Sequence, residues 1–285
     1  MIKKYLSTLF VFSLLGLLLL SACDKIEPPY KQINGGDNDT VVTRKFLLEE
    51  FTGTQCPNCP QGAIKAQELK AVYGERLIVI AIHAGDFAIP GSGEFATDFR
   101  STTGNDIYNF FTPMSFPSGM ISRTGWTQTQ NNAVIDKDSW GARIETIKND
   151  SPKLSIELTN AYEPSTRKVS TSLEMDALMD FSGTYKICAY LTEDSIITAQ
   201  LTESDPNYPD NIMHSYALRH VLRGALNSTW GDTLVSGSVS NNAQFLKNYS
   251  MVLNTAWNEN KCYVVALIYD ASNYEVIQAE EKKVK

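Results

Sequence analysis

The hydrophobic pattern of the chain changes near residue 150. Before that point, residues 77–82 are continuously apolar, which is typical of a strand in a sheet that is covered on both faces, and Phe46-Leu47-Leu48-Glu49-Glu50-Phe51 also indicates a buried strand. Between them, apolar residues recur at helical spacing up to about residue 73. Further on, the pattern predicts loop and helix over 84–116, a strand over 117–122 and a helix over 137–148. This alternation predicts an α/β domain over residues 44–150.

Beyond residue 150 the period of the pattern becomes two. Leu154, Ile156 and Leu158 alternate with polar residues, and the same alternation returns over 168–176. Further runs typical of strands cover residues 185–191, 216–222, 245–253, 263–269 and 274–279. Many strands separated by polar loops, with no long helical pattern, predict an all-β sandwich of the immunoglobulin-like kind over residues 151–285.

The first 22 residues have the pattern of an export signal. Lys3 and Lys4 precede an apolar run over 6–20, and small residues precede Cys23. The run is too short for a membrane-spanning helix, so it indicates a cleaved signal peptide. Leu20-Ser21-Ala22-Cys23 resembles the lipobox of bacterial lipoproteins, which implies that Cys23 is acylated and binds the lipid bilayer. The alternative is an ordinary signal peptide followed by an incidental cysteine.

A polar segment follows the predicted lipid site. Residues 23–43 are rich in Pro, Gly and Asn, which predicts a flexible tether. The 285-residue chain has a net charge of −7, and without residues 1–22, which carry two lysines and no acids, the charge is −9. This balance argues against nucleic acid as a partner, because binding to phosphates needs clustered Lys and Arg.

The most specific motif is Cys56-Pro57-Asn58-Cys59, between a predicted strand and a predicted helix. Two thiols at this spacing can close into a disulfide, and the dipole of the helix N-terminus stabilises the first sulfur as a thiolate. A structural zinc site also uses this spacing, but no second pair of ligands lies nearby. Pro60 follows the motif where c-type haem attachment requires histidine. We therefore expect no metal and no cofactor.

Residues 44–150 resemble a thioredoxin-fold domain. The resemblance implies that Cys56 is the nucleophile and Cys59 the resolving cysteine, that Pro117 is a cis-proline opposite them, and that Glu50 is a buried acid that assists proton transfer. Three departures affect the redox potential and the partner: no Trp precedes Cys56, the dipeptide is Pro-Asn, and over 30 residues separate the second strand from Pro117.

A narrower resemblance covers most of the chain. Glu-Glu-Phe-Thr-Gly at 49–53, Ile-His-Ala-Gly at 82–85, Phe-Pro-Ser-Gly at 116–119 and the segment from His214 to Gly224 are together similar to the outer membrane protein 28-related lipoproteins. That family implies an outer-membrane location and a thioredoxin-like domain joined to a β-sandwich. It implies no settled activity.

Several polar residues and cysteines have less specific patterns. His83 ends the second strand, where it could tune Cys56, although we expect it to bond the insertion that follows it. His214, Arg219, His220 and Arg223 fall on one predicted strand, and we expect structural roles for them. Cys188 and Cys262 lie in predicted strands, and the sequence does not decide whether they form a disulfide.

Two classes of function are compatible with these features. The first is a thiol–disulfide oxidoreductase that acts on thiols or disulfides of envelope proteins. The second is a binding or adhesion lipoprotein that uses the same fold as a scaffold. The sequence leaves open whether the site acts as reductant, oxidant or isomerase, because that depends on the reduction potential. It also leaves open the partner and the face of the membrane.

Overall fold

The computed structural model describes residues 42–285, so the predicted signal peptide, Cys23 and nearly all of the predicted tether lie outside the described residues. The described part forms three α-helices and fourteen strands. The helices are α1 (Cys59–Tyr73), α2 (Thr102–Phe111) and α3 (Trp140–Ile147). The strands are β1 (Phe46–Thr52), β2 (Leu77–His83), β3 (Ser118–Ile121), β4 (Val134–Asp136), β5 (Glu157–Glu163), β6 (Lys168–Asp176), β7 (Phe181–Glu193), β8 (Ile196–Leu201), β9 (Ile212–Leu218), β10 (Val221–Ala225), β11 (Asp232–Val239), β12 (Gln244–Val252), β13 (Cys262–Asp270) and β14 (Val276–Lys283).

Nine of these strands form one mixed sheet. Its order is β14-β13-β7-β10-β2-β1-β3-β4, with β11 added along the first part of β7. The central strands β10, β2 and β1 are parallel, and the remaining pairs are antiparallel. Strands β12, β6 and β5 form a second sheet, and β8 and β9 form a separate hairpin.

The two central strands β1 and β2 are buried along their whole length, as the sequence predicts. Leu48 and Val79 point to the face that α1 and α3 cover. Leu47 and Ile80 point to the opposite face, where they pack with α2. Successive residues of a strand point to opposite faces, so adjacent residues of β1 pack into two different cores.

A further core lies between the three-stranded sheet and the main sheet. Leu158 and Leu173 of the small sheet share one buried cluster with Ile187 and Val264 of the main sheet. The alternation over 154–158 and 168–176 therefore arises because these segments bury one face, whereas β13 contributes residues to cores on both of its faces. Beyond residue 150, the described chain contains strands and one 3₁₀ turn, as predicted.

The main sheet draws strands from both sides of residue 150. Strand β10 lies between β2 and β7, where Ala81 N donates a hydrogen bond of 2.8 Å to His220 O. The predicted division near residue 150 concerns units that fold independently, and it stays a prediction. Residues 42–285 form one compact unit by their contacts.

Some predicted elements need correction. Residues 216–222 are not one strand, because His220 has a positive φ of 54° and turns the chain between β9 and β10. Helix α1 begins at Cys59, the second cysteine of the motif. Strands β4, β8 and β11 are not predicted from the sequence. Strand β11 contains Gly237 and several small polar residues, and its pairing with β7 overrides its weak strand propensity.

Candidate active site

The two cysteines of the motif are joined. Cys56 and Cys59 form a disulfide with their Cα atoms 5.4 Å apart. Cys56 lies in the loop that leaves β1, and Cys59 is the first residue of α1. The disulfide therefore spans the junction between a central strand and a helix N-terminus.

The loop before the disulfide packs against the segment that follows β2. Gln55 N donates to Phe87 O over 3.0 Å, and a Cβ atom at Gly53 would overlap the same carbonyl group. Only glycine allows the two backbones to approach this closely. The long insertion after β2 thus holds one side of the cysteine loop.

A strand from the second half of the chain covers the other side of the loop. Gln200 of β8 is buried, and its Nε2 donates to Cys56 O over 2.9 Å and to Gly53 O over 3.3 Å. Leu201 N donates to Thr54 O over 2.8 Å. Sequence reasoning missed these residues, because Ile-Ile-Thr-Ala-Gln-Leu has no periodic pattern and nothing in it points to a loop 144 residues away.

Both cysteines are buried, with Cys56 1% and Cys59 2% exposed. Reactive cysteines ordinarily lie in partly exposed surroundings. The Cys56–Cys59 disulfide is thus less accessible than a reactive cysteine pair ordinarily is.

Pro117 lies against the helix that carries Cys59. The Phe116–Pro117 bond is cis, as predicted. A Cβ atom at Gly62 in α1 would lie 2.7 Å from Pro117 Cβ and 2.5 Å from Glu50 Oε1. Gly62 is thus the point where the helix, Pro117 and Glu50 meet, and it is a residue of the site that the sequence analysis did not single out.

Substitution of Gly62 by alanine should destabilise the protein by about 1–3 kcal/mol, because the rigid ring of Pro117 cannot move away. Gly141 in α3 is a matched control, since a Cβ atom there would be in ordinary contact, 3.4 Å from Leu69 Cδ2. Gly141→Ala should be neutral or stabilising by up to about 1 kcal/mol. Urea denaturation measures both, and equal effects of the two substitutions would contradict the close packing at Gly62.

Glu50 occupies the face of β1 that α1 covers. It is buried, and its Oε1 has no hydrogen-bond partner within residues 42–285. Burial raises the pKa of its carboxyl group to about 8, because the charged form loses its hydration. Glu50 and Cys59 line the same cavity, so a protonated acid lies beside the second cysteine at neutral pH.

His83 is also buried in this region. Neither ring nitrogen has a hydrogen-bond partner in the described part of the chain, so the expected bond to the insertion is not formed. The ring instead packs on Phe99 of the insertion, with the centroids 5.5 Å apart. Burial, and then the charge of Arg223, lower the pKa of His83 to about 3, so the ring is neutral at pH 7.

The predicted polar set at 214–223 is divided between two strands and a turn. His214 on β9 is exposed and contacts Glu94 Oε2 at 2.7 Å, while Arg223 on β10 contacts Glu193 Oε2 at 2.8 Å. Arg219 and His220 lie in the turn between these strands. The partners are carboxylates on neighbouring segments, which fits the structural roles expected for His214 and Arg223.

Cys188 and Cys262 are free, buried thiols, which answers the question that the sequence left open. Within residues 42–285, no group of three or more His, Cys, Asp or Glu side chains has an arrangement that could hold a metal ion. No helix in that same range is long and apolar enough to cross a membrane.

Comparisons with known proteins point to one family. The family model described as Outer membrane protein Omp28 matches residues 105–285. No curated protein matches the chain significantly.

Three solved structures resemble this fold to different extents. HBP35 of Porphyromonas gingivalis, 16% identical, has a TM-score of 0.61 over 85% of this chain and 76% of that one. A protein from Agrobacterium tumefaciens, 10% identical, has a TM-score of 0.52 over 86% of this chain and 96% of that one. A domain of the outer membrane lipoprotein Omp28 from Porphyromonas gingivalis is 20% identical, with a TM-score of 0.32 over 48% of this chain and 91% of that one. At these identities the first two likenesses concern the fold alone.

Proposed function

The chain belongs to the Omp28 family of outer membrane proteins, and from that premise we propose that it is a thiol–disulfide oxidoreductase of the cell envelope. The outer-membrane location predicted from the sequence is that of the family. The observation that carries the proposed activity is the Cys56–Cys59 disulfide at the start of α1, with the protonated Glu50 beside Cys59. Pro117 packs against the same helix at Gly62.

The exchange reaction follows from these groups. A thiolate of a client protein attacks Cys56 Sγ, the Cys56–Cys59 bond breaks, and a mixed disulfide forms. Cys59 leaves as a thiolate and takes a proton from Glu50. A second client thiol loses its proton to solvent and attacks the client sulfur of the mixed disulfide, which releases the oxidised client and leaves Cys56 as a thiolate. Two electrons pass from the client to the cysteine pair, and the reverse sequence reduces a client disulfide.

We also propose that the fold consists of two parts. Strand β1, the disulfide, helix α1 and strand β2 form the start of a thioredoxin-like unit over residues 44–150. The two facing sheets around Leu158 and Val264 form an immunoglobulin-like sandwich over residues 151–285. Because Gln200 and Leu201 cover the cysteine loop, the sandwich half also controls access to the site.

Trapping of the mixed disulfide tests the activity. In full-length protein, Cys59→Ser removes the resolving thiol, so Cys56 should hold envelope clients in mixed disulfides that reductant releases. The Cys56→Ser/Cys59→Ser double variant is the control and should hold none. The free Cys56 thiol should also alkylate with a pKa below about 8.5, the ordinary value for cysteine.

A second variant tests whether the segment over the cysteine loop limits access to the disulfide. Gln200→Ala removes the hydrogen bonds over the cysteine loop, and the disulfide should then be reduced several-fold faster by dithiothreitol, since each such bond contributes about 1 kcal/mol. Absence of trapped clients together with an ordinary Cys56 pKa would contradict the oxidoreductase proposal.

A second candidate function is a non-catalytic binding or adhesion lipoprotein. The observation that favours it is the 1% exposure of Cys56, which suits a disulfide that only stabilises the loop. Under this alternative, Gln200→Ala changes the rate of reduction but Cys59→Ser traps no client. The trapping experiment therefore separates the two functions.

We also propose that Cys23 carries acyl chains that anchor the protein. Each buried methylene group contributes about 0.8 kcal/mol, so two or more long chains give stable attachment. Cys23→Ala should abolish incorporation of a fatty-acid analogue and release the protein from the membrane fraction. Wild-type protein that takes up no label would contradict the anchor.

A further inference from the structure

A small cavity lies behind Cys59, between α1 and the turn that joins β9 to β10. Its volume is about 40 Å³. Glu50 and His83 reach it from the central strands, and Tyr216 and His220 reach it from the β9–β10 segment. The cavity thus joins titratable groups that are far apart in the sequence.

Four polar side-chain atoms around the cavity are buried and have no hydrogen-bond partner among the described residues. They are Glu50 Oε1, both ring nitrogens of His83, and His220 Nδ1. Glu50 and His83 are each 3% exposed. Leaving such groups without hydrogen bonds costs about 1–3 kcal/mol each, and buried polar atoms in native proteins are almost always satisfied by protein or by water.

The cavity is large enough to hold water molecules that form those hydrogen bonds. One water molecule needs roughly 10–15 Å³ of such space and two to four polar partners, so 40 Å³ accommodates about three. The polar atoms around the cavity are of both kinds, since a neutral imidazole has one donor and one acceptor nitrogen. An apolar ligand would leave all four atoms unsatisfied.

The small side chain of Ala81 gives the cavity its room. In the sheet register Ala81 is the partner of Glu50 on β1 and of Val221 on β10, and His83 lies two residues further on the same face of β2. Glu50, His83 and His220 line the cavity together with Ala81. A larger residue at position 81 would fill the space without removing any titratable group.

Burial keeps both histidines neutral, and the nearby charges have smaller effects. Burial lowers the pKa of His83 to about 3, the charge of Arg223 adds to the decrease, and Asp98 opposes it. Burial also lowers the pKa of His220 to about 4, with Asp194 opposing and with Lys70 and Arg219 adding to the decrease. A neutral imidazole can accept a proton at one nitrogen while it releases one from the other, which carries a proton across the ring, leaves the other tautomer and does not accumulate the charged imidazolium.

We propose that this cavity holds a water cluster through which Glu50 exchanges its proton with solvent by way of His83 and His220. Its purpose rests on the proposed oxidoreductase function: when Glu50 gives its proton to the Cys59 thiolate, the water cluster returns one to Glu50 from solvent. The path leaves the protein between Lys70 and Arg219, whose side chains are 35% and 45% exposed.

Infrared spectroscopy of the oxidised, full-length protein tests the path directly. At pH 6 Glu50 is protonated, and its C=O stretching band is the one that Glu50→Gln removes. On dilution into D₂O this band shifts as O–H becomes O–D, and in the wild type the shift should be far faster than exchange of the core amides of β1 and β2. His83→Phe and Ala81→Val should each slow it by about tenfold or more, which corresponds to roughly 1.4 kcal/mol in activation free energy.

His214→Gln is the matched control, since His214 is exposed and lies outside the cavity, and it should leave the exchange rate unchanged. Thermal unfolding checks that each variant is folded, and if His83→Phe is not, Ala81→Val carries the comparison. A wild-type band that exchanges only as slowly as the core amides overturns the proposal, as does a rate that both substitutions leave unchanged. The measurement uses no client and no reductant, so its failure leaves the oxidoreductase proposal standing, and the converse also holds.

Discussion

Replacement of Glu49 by glutamine should lower the free energy of unfolding by about 3–5 kcal/mol, since it leaves a buried charge without its partner. Glu49 and Arg123 are both fully buried and form a two-pronged ion pair, with Nε to Oε2 at 2.7 Å and Nη2 to Oε1 at 2.6 Å. The guanidinium group also lies over the rings of Phe111 and Tyr269, at 5.5 and 5.6 Å from their centroids.

Equilibrium urea unfolding of three variants measures the pair. Arg123→Met, which keeps much of the side-chain volume, should cost about as much as Glu49→Gln, whereas the double variant should cost clearly less than the sum because neither charge remains. Glu68→Gln is the control, since Glu68 forms an exposed pair with Lys65 at 3.2 Å and should change stability by less than about 0.5 kcal/mol. Additive effects of the two single substitutions would contradict a coupled buried pair.

The second large effect concerns Glu50 and pH. Its pKa is about 8 in the folded protein and near the ordinary 4.5 in the unfolded chain. The folded state therefore keeps a proton that the unfolded state releases. The stability from this group is fully present below pH 4.5 and is lost as the pH rises through 8, at about 1.4 kcal/mol for each pH unit.

Glu50→Gln removes this titration, so the variant should gain about 3 kcal/mol relative to wild type between pH 4 and pH 7. His83 and His220, whose lowered pKa values act in the opposite direction, contribute equally to both proteins and cancel in the difference. Chemical denaturation at a series of pH values gives the two curves, with Glu68→Gln as an exposed control that should run parallel to wild type. A Glu50→Gln curve that also runs parallel would show that Glu50 is already ionised in the folded protein.

The central part of the fold and of the candidate site is predictable from sequence because its signals are local. A continuous apolar run identifies β2, the mainly apolar segment 46–51 identifies β1, and Cys56-Pro57-Asn58-Cys59 between them places the disulfide. The position of Glu50 relative to the cysteines is also predictable, because it follows from the resemblance to thioredoxins.

The remainder depends on contacts between distant segments. Gln200 lies in a short strand without periodicity, yet it binds the cysteine loop. Glu49 reads as part of an apolar strand, and nothing local connects it with Arg123, 74 residues further on. The turn at His220 interrupts an otherwise continuous strand pattern because β10 must enter the main sheet beside β2. Pairing partners of this kind are set by the whole fold and not by the propensity of the segment.

The position of β10 between β2 and β7 has a consequence for the order in which the protein matures. A chain that leaves a ribosome or a secretion channel N-terminus first presents β2 long before residues 221–225 have emerged. Until then one edge of the most apolar strand stays unpaired, and we expect a holding chaperone to bind there. Cys56 and Cys59, only three residues apart, need no distant segment to meet. Oxidation of this pair can thus precede the pairing of β10 with β2. Gln200 packs over the cysteine loop only after the second half of the chain has emerged.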